Sequence, residues 1–182
     1  MTVRQRGTSS DTSRRNFVFA GACVLGSVAT GAMTPVWAHH GWGTFDTRHA
    51  YYVTGTLGRV RWGNPHSEAI LKLDAGALPA NWLQRPLPEG ANERDGRLTM
   101  ASARPYTGRH KELELVLAGP DWMARWGLKR PLKTGEKMEA VGFLNAGEGD
   151  HLRPVMFWLS DGQGVWQQLT AFPNQPEPVS TR

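Results

Sequence analysis

Cysteine is almost absent from this chain of 182 residues. The one cysteine, Cys23, lies in the apolar N-terminal segment, so the rest of the chain has neither a disulfide nor a thiolate that could bind a metal or attack a substrate. The sequence also lacks the G-x-S-x-G, H-E-x-x-H and glycine-rich phosphate-binding motifs, each of which places catalytic groups in a defined geometry. These absences favour a binding protein over an enzyme.

A long uninterrupted apolar run is also missing. The run over residues 17–33 is broken by glycines and is followed by Pro35, whereas a membrane span needs roughly 20 consecutive apolar residues. Arg14 and Arg15 precede it in SRRNFVF, and this basic-then-apolar layout is typical of a secretory signal. The paired arginines resemble the twin-arginine export motif. We therefore predict a twin-arginine signal peptide over residues 1–38, a periplasmic location and no stable membrane span after cleavage.

Cleavage after Ala38 makes His39 the first residue of the exported protein. Removal of the signal also removes four arginines and one aspartate, which lowers the formal net charge from +5 to +2. The remaining charges are interleaved, with no cluster of lysine and arginine, and a nucleic-acid partner is therefore not expected.

Strand-like alternation dominates the rest of the chain. Residues 51–62 change parity near Gly58, which predicts a curved strand with a β-bulge. Further strands are predicted at 67–73, 98–103, 110–118, 136–144, 155–159 and 164–169, with a loop over 74–97 that turns near Trp82. One short helix begins at Pro120 and ends at Gly127.

These elements predict an all-β domain over residues 39–170, mainly β with one short helix. The expected architecture is a small OB-like curved barrel, and a small β-sandwich is the alternative. We expect Trp62, Trp158 and Trp166 in the core, and Trp122 with Trp126 on the buried face of the helix. Residues 171–182 are predicted to be a disordered tail.

Several motifs follow one another in a distinctive order: Ala38-His39-His40, Thr54-Gly55, Val60, Trp62, Asn64-Pro65-His66, a tryptophan-rich segment over 122–128, residues 132–142 and Asp161-Gly162. This layout resembles a family of small exported bacterial proteins of unknown function, over most of residues 38–168. Residues 74–112 depart from the family pattern by being expanded. The resemblance implies export and a single domain, and it implies no activity.

The histidines beside the cleavage site predict a metal site. An N-terminal His39 can bind one metal through both its α-amine, whose unperturbed pKa is about 7.7–8, and its imidazole. Such nitrogen ligands suit Cu(II), the tightest-binding divalent first-row ion. His66, on the turn after the first strand, is the expected second imidazole, and His40 can bind in place of His39. We therefore predict a copper ion held by His39, His40 and His66, with a metal donor or acceptor protein as partner.

Other interpretations stay open. His49, His110 and His151 are further candidates for the second imidazole, although each is expected at the surface. In a metal-free module the histidines would be incidental, the barrel face would bind a small molecule, glycan or partner protein, and Trp42 would be the ligand-surface candidate. A copper-dependent oxidative enzyme is the weakest alternative. It would use the same His39 chelate, so an N-terminal histidine by itself cannot separate that enzyme from a copper carrier.

The predicted cleavage site is open to direct test. We expect the intact mass of the protein recovered from the periplasm to correspond to a chain that begins at His39. A different first residue would rule out a chelate through the α-amine of His39. N-terminal sequencing of the same sample provides the control for the mass assignment.

Overall fold

The computed structural model describes residues 42–168, which contain seven strands and two helices. The strands are β1 (Tyr51–Arg61), β2 (His66–Leu73), β3 (Arg104–Pro105), β4 (Glu112–Ala118), β5 (Lys137–Leu144), β6 (His151–Leu159) and β7 (Gly164–Trp166). The helices are α1 (Glu93–Ser102) and α2 (Pro120–Arg125), and short 3₁₀ turns lie at Trp42–Thr44 and Trp82–Gln84.

Five of the strands form a closed barrel in the order β1, β2, β4, β6, β5. Strand β1 pairs antiparallel with both β2 and β5, which joins the two ends of the sheet. Strand β4 pairs antiparallel with β2 and parallel with β6. This closed barrel of five strands, with α2 between β4 and β5, confirms the predicted OB-like architecture over the sandwich. Strands β3 and β7 add to β1 and β6 outside the barrel.

The first strand is bent where the sequence changes parity. Its first half pairs with β5 and its second half with β2, and the register with β2 shifts between Leu57 and Val60. A bulge at this place increases the local twist, so that one strand can contribute to both sides of the barrel. The predicted bulge near Gly58 is confirmed.

The barrel interior is filled by alternate residues of the strands. Leu113, Leu115 and Leu117 of β4 all face inward and are fully buried, as their alternation predicted. Leu71 of β2 and Leu152 of β6 pack against them. Each such side chain contributes roughly 1.5–3 kcal/mol of burial free energy. The inner core therefore depends on all five strands keeping their register.

A second core lies outside the barrel, on β5 and β6. The Trp82 ring packs edge-on against both Tyr52 and Trp158, and its Nε1 donates a hydrogen bond to the carbonyl oxygen of Met100 at 2.9 Å. Trp166 joins the same cluster. Because Trp82 and Met100 belong to the long connection between β2 and β4, that connection covers one side of the barrel. The predicted turn near Trp82 is part of this cover, and Trp158 and Trp166 are buried as expected, whereas Trp62 is only partly buried.

Part of the long connection is helical where we expected a strand. The side chain of Asn92 accepts a hydrogen bond from the backbone N–H of Asp95 and so caps the start of α1. Gly96, Thr99 and Met100 are then buried at helical spacing. The prediction of a strand over residues 98–103 was therefore wrong. The Asn92 cap favours a helix more strongly than the short alternation of apolar residues after it favours a strand.

Helix α2 has the predicted bounds and a different buried side. Pro120 occupies its first turn, and Gly127 follows it with a φ of 93°. Met123 is fully buried, whereas Trp122 is 53% exposed and stacks on the partly buried Trp126. The expectation that both tryptophans form the buried face was therefore wrong for Trp122. Among the described residues, neither helix is long and apolar enough to cross a bilayer.

Two glycines of β1 offer a matched test of the close strand packing. An added Cβ at Gly55 would lie 2.1 Å from the carbonyl oxygen of Lys72, whereas one at Gly58 would meet Ile70 at an ordinary 3.4 Å. We expect Gly55→Ala to lower the free energy of unfolding by about 1–3 kcal/mol through this overlap.

Gly58→Ala serves as the control and should stay within about 0.5 kcal/mol of the wild type or gain stability, since alanine restricts the unfolded chain. The measurement is urea unfolding of both variants. Equal losses in the two would contradict the close approach at Gly55.

Candidate functional site

One side of the barrel is left open by the long connection. Strands β2 and β4 and the end of β1 border a groove of about 290 Å³. The residues that line it are Arg59, Arg61, Glu68, Ala69, Ile70 and Glu114. Arg61 pairs with Glu68 across the hairpin. In OB folds this strand face is the usual ligand surface. The lining here is mostly charged and carries no aromatic ring, so it does not offer the stacking surface that bases or sugars use.

The N-terminal arm is attached at one end of this open face. Phe45 forms a β-bridge with Asn145, the N–H of Ala146 donates to the carbonyl of Thr44, and the N–H of Asp46 donates to that of Leu144, each at 2.9 Å. The Phe45 ring is buried, and it lies 5.7 Å from the guanidinium carbon of Arg153, whose pKa burial lowers to about 10. The chain on the N-terminal side of Phe45 therefore starts beside the loop between β5 and β6.

His151 stands at the end of this same loop, between two carboxylates. Its Nδ1 lies 2.7 Å from Oδ1 of Asp150, and its Nε2 lies 3.8 Å from Oε1 of Glu114. The hydrogen bond with His151 is the main reason that the pKa of Asp150 lies below its ordinary value. We refer to His151 and Glu114 as the Glu114–His151 pair. The side chains of Glu114, Asp150 and His151 are all partly exposed, so the Glu114–His151 pair is open to solvent.

Backbone hydrogen bonds between strands fix the position of the Glu114–His151 pair. Glu114 is opposite His151 in the parallel ladder of β4 and β6. Asn145 binds His151 twice, because the N–H of Asn145 donates to the carbonyl of His151 and the side-chain oxygen of Asn145 accepts from the N–H of His151. Asn145 therefore both forms the β-bridge with Phe45 and makes two hydrogen bonds with His151. The arm and the Glu114–His151 pair are neighbours on the barrel.

His66 lies at the opposite end of the open face. It is the first residue of β2, is exposed, and is opposite Ala118 of β4. The turn before it contains a cis Asn64–Pro65 peptide, and the side-chain amide of Asn64 donates to Asp121 of α2 at 3.3 Å. The Asn-Pro-His motif therefore joins the first hairpin to α2. Four residues along β4 and two interstrand steps separate His66 from His151, about 16 Å between their Cα atoms.

The other sequence candidates fall in different places. His39 and His40 lie outside the described residues, and Trp42 enters the description only through its backbone in the first 3₁₀ turn. His110 lies with its Nε2 2.8 Å from the carbonyl oxygen of Glu148, in the loop between β5 and β6, and His49 is half-buried. Over residues 42–168 no group of three or more histidine, aspartate or glutamate side chains could hold a metal ion.

The sequence reasoning did not single out Glu114 or Asp150. An Asp-His dipeptide at residues 150 and 151 is a signal that could have drawn attention, because a carboxylate often orients an imidazole. Glu114, however, is 37 positions away, and only the pairing of β4 with β6 brings it to His151. Its contribution becomes visible only once the barrel is closed.

A second polar cluster lies under the long connection and is fully engaged. Arg85 donates two hydrogen bonds to Glu139, and the Tyr52 hydroxyl donates a third at 2.6 Å. Burial alone would raise the pKa of Glu139, but the bonds from Arg85 and Tyr52 outweigh it and lower that pKa. Burial, followed by the bond to Glu139, raises the pKa of Tyr52. Arg85 also lies over the Trp158 ring at 4.2 Å. This arrangement ties the connection to the barrel.

A cleft opens beside that cluster. It has a volume of about 640 Å³ and is lined by residues 85–89, Trp158, Lys129 and the turn over 161–164. Its size lies in the range of small-molecule sites. Gln163, at the cleft, donates to the carbonyl of Gly127, and its buried Oε1 has no hydrogen-bond partner among the described residues.

Comparison with known proteins finds a family match over part of the chain. Residues 27–96 match DUF6152, a family of unknown function. The match contains Ala38-His39-His40, strands β1 and β2 and the Asn-Pro-His turn, and it leaves out α2 and the C-terminal strands. No curated protein and no solved structure matches the chain. The predicted resemblance to a family of unknown function is therefore supported over less than half of the chain.

The Glu139 cluster generates a pH-dependent prediction. Because the pKa of Glu139 is lowered in the folded state from its ordinary 4.5, its stabilising contribution is present above about pH 4.5 and is lost as the pH falls further. Glu139→Gln should therefore lower the free energy of unfolding by about 1–2 kcal/mol at pH 7, and the difference from the wild type should shrink by pH 3.5.

Urea unfolding at the two pH values measures this difference. Glu89→Gln is the control, since Glu89 is exposed and forms no ion pair with another described residue. If Glu139→Gln lowers the free energy of unfolding by the same amount at both pH values, the carboxylate charge of Glu139 is not the stabilising feature.

Proposed function

We propose that this protein is exported to the periplasm and binds a transition metal, with copper favoured, through His39 at its mature N-terminus. The observation that carries the proposal is the attachment of the arm at Phe45 and Asn145. His39 lies six positions before Phe45, and because Trp42–Thr44 form a 3₁₀ turn, this stretch spans at most about 16 Å. The N-terminal chelate would then lie on or near the open face of the barrel instead of far from it.

The chemistry of the terminus favours Cu(II). The amine and imidazole of His39 supply two nitrogens in one chelate ring, and nitrogen donors without thiolates are well suited to Cu(II). The imidazole of His66 would complete the site, and His40 could bind in place of His39, as the sequence predicted. A site at an exposed terminus allows exchange with a donor or acceptor protein, so a role in metal handling fits better than turnover.

A second candidate function is that of a metal-free binding module. It is favoured by the 640 Å³ cleft, where Trp158 forms a wall and Lys129 brings a positive charge that forms no ion pair within residues 42–168. The exposed Glu89 lines the same cleft, so a small polar molecule would match these groups. In that case the histidines near the cleavage site have no part in function, and their replacement leaves ligand binding unchanged.

The metal proposal predicts a dependence on the free N-terminus. Protein recovered from the periplasm should bind Cu(II) one-to-one, and the same protein with four extra residues, none of them histidine, before His39 should bind at least tenfold more weakly, because the His39 amine is then an amide and the new amine is too far from both histidines to form a short chelate with either. Since the amine must lose its proton, affinity should fall about tenfold per pH unit below its pKa of about 7.7–8.

Calorimetric titration of both forms at pH 6.5 and 7.5 tests this. The control is His49→Ala with its native N-terminus, which leaves the terminus and its attachment at Phe45 in place. Identical weak binding by the native and extended forms would contradict the proposal and leave the metal-free module.

A further inference from the structure

Helix α2 presents a tryptophan to solvent, and we propose that the surface around it docks on the anionic headgroups of a lipid bilayer. Trp122 is 53% exposed, whereas its neighbour Met123 is fully buried. The proposal concerns α2 and the turn after it, which the metal proposal does not use. The two proposals can therefore fail independently of each other.

The surface, which we call the Trp122 patch, consists of Trp122, Arg125, Trp126 and Lys129. The Trp122 ring stacks on the Trp126 ring with their centroids 5.7 Å apart, and the guanidinium carbon of Arg125 lies 4.9 Å from the Trp122 centroid. Spacings of three and four residues place these side chains on one flank of the helix. The N–H of Leu128 donates to the carbonyl of Met123 at 2.9 Å, so the chain turns back and Lys129 follows beside α2.

The Trp122 patch is positively charged. Arg125 and Lys129 are exposed, and neither forms an ion pair with another described residue. Asp121, the acidic residue of α2, accepts a hydrogen bond from the side chain of Asn64 at 3.3 Å and is therefore held toward the hairpin turn. Lysine and arginine near anionic headgroups each favour binding, so the charge of the patch matches an anionic bilayer.

Charge distinguishes the Trp122 patch from the other exposed large apolar side chains, Leu83 and Leu98. Leu98 belongs to α1, whose two arginines are balanced by Glu93 and Asp95. Leu83 lies beside that helix, where its carbonyl accepts a hydrogen bond from Arg97. An anionic surface would therefore select the patch on α2 over the one on α1.

The contacts of the Trp122 ring favour a bilayer over a sugar. A sugar binds by stacking on a free aromatic face, and the Trp122 ring is already in contact with the Trp126 ring and the Arg125 guanidinium. At a bilayer interface tryptophan needs no free face, because its apolar body lies near the acyl chains and its N–H lies among the headgroups. Basic residues beside it complete the combination of apolar and cationic groups by which proteins bind to membrane surfaces.

Vesicle flotation tests the proposal. The anionic vesicles contain phosphatidylglycerol and phosphatidylcholine in equal parts, and the neutral vesicles contain phosphatidylcholine alone. We expect the wild type to bind the anionic vesicles at least about tenfold more tightly than the neutral ones. Trp122→Ala should weaken binding to the anionic vesicles at least about fivefold, and Trp122→Phe should restore most of it. Arg125→Gln and Lys129→Gln should each weaken it about fivefold.

Two matched controls carry the same kinds of change elsewhere. Lys111→Gln removes an exposed cation that has no ion pair within residues 42–168; it lies before β4, whereas α2 follows β4, about 20 Å away. Leu83→Ala removes a comparably exposed apolar side chain, at 55%. Both variants should bind within about twofold of the wild type, because groups beyond a Debye length from the headgroups contribute little. All proteins are compared in the same processed form, so that the apolar run over residues 17–33 contributes equally.

Three results would overturn the proposal. The first is equal binding of the wild type to both kinds of vesicle, or binding to neither. The second is wild-type binding by Trp122→Ala. The third is a loss in Lys111→Gln as large as that in Arg125→Gln, because binding would then follow the net charge and not the Trp122 patch. None of these results affects the Cu(II) titration.

Urea unfolding of Trp122→Ala shows whether a loss of binding reflects the patch or the fold. If that variant is unfolded, Trp122→Phe and Arg125→Gln decide the outcome, since the first keeps an aromatic ring and the second changes an exposed side chain.

Discussion

The short parallel pairing of β4 with β6 is the contact on which the barrel depends. Only two residue pairs form it, Glu114 with His151 and Leu115 with Leu152, yet without it the five strands would be an open sheet with two unpaired edges. Leu115 and Leu152 are fully buried in the inner core, so closure and core packing support each other. The same two pairs bring the Glu114 carboxylate next to the His151 imidazole on the outer surface.

Unequal covering of the barrel decides where a ligand could bind. The long connection between β2 and β4 covers β5 and β6 with a second core built around Trp82, and the Arg85–Glu139 ion pair fastens it. The opposite face, on β2 and β4, stays open and charged. The arm is attached at Asn145, where the covered side meets the open one.

Local signals were sufficient for much of the fold. The parity change near Gly58, the alternation of Leu113 to Leu117 and the Pro120 and Gly127 limits of α2 each depend on neighbouring residues, and each was correctly predicted. Helix α1 was missed because the Asn92 cap was not weighed against a brief alternation. Trp122 was predicted to be buried because helical spacing indicates which residues share a face but does not indicate which face is buried. The contact of Glu114 with His151 could not be predicted, since it requires the pairing of distant strands.

Anomalous diffraction from crystals of the copper-loaded protein with its native N-terminus tests the central claim most directly. The account predicts one copper peak about 2.0 Å from the amine and imidazole nitrogens of His39, with the imidazole of His66 as the further ligand. The absence of a bound copper at the N-terminal chelate would contradict the metal-binding account as a whole.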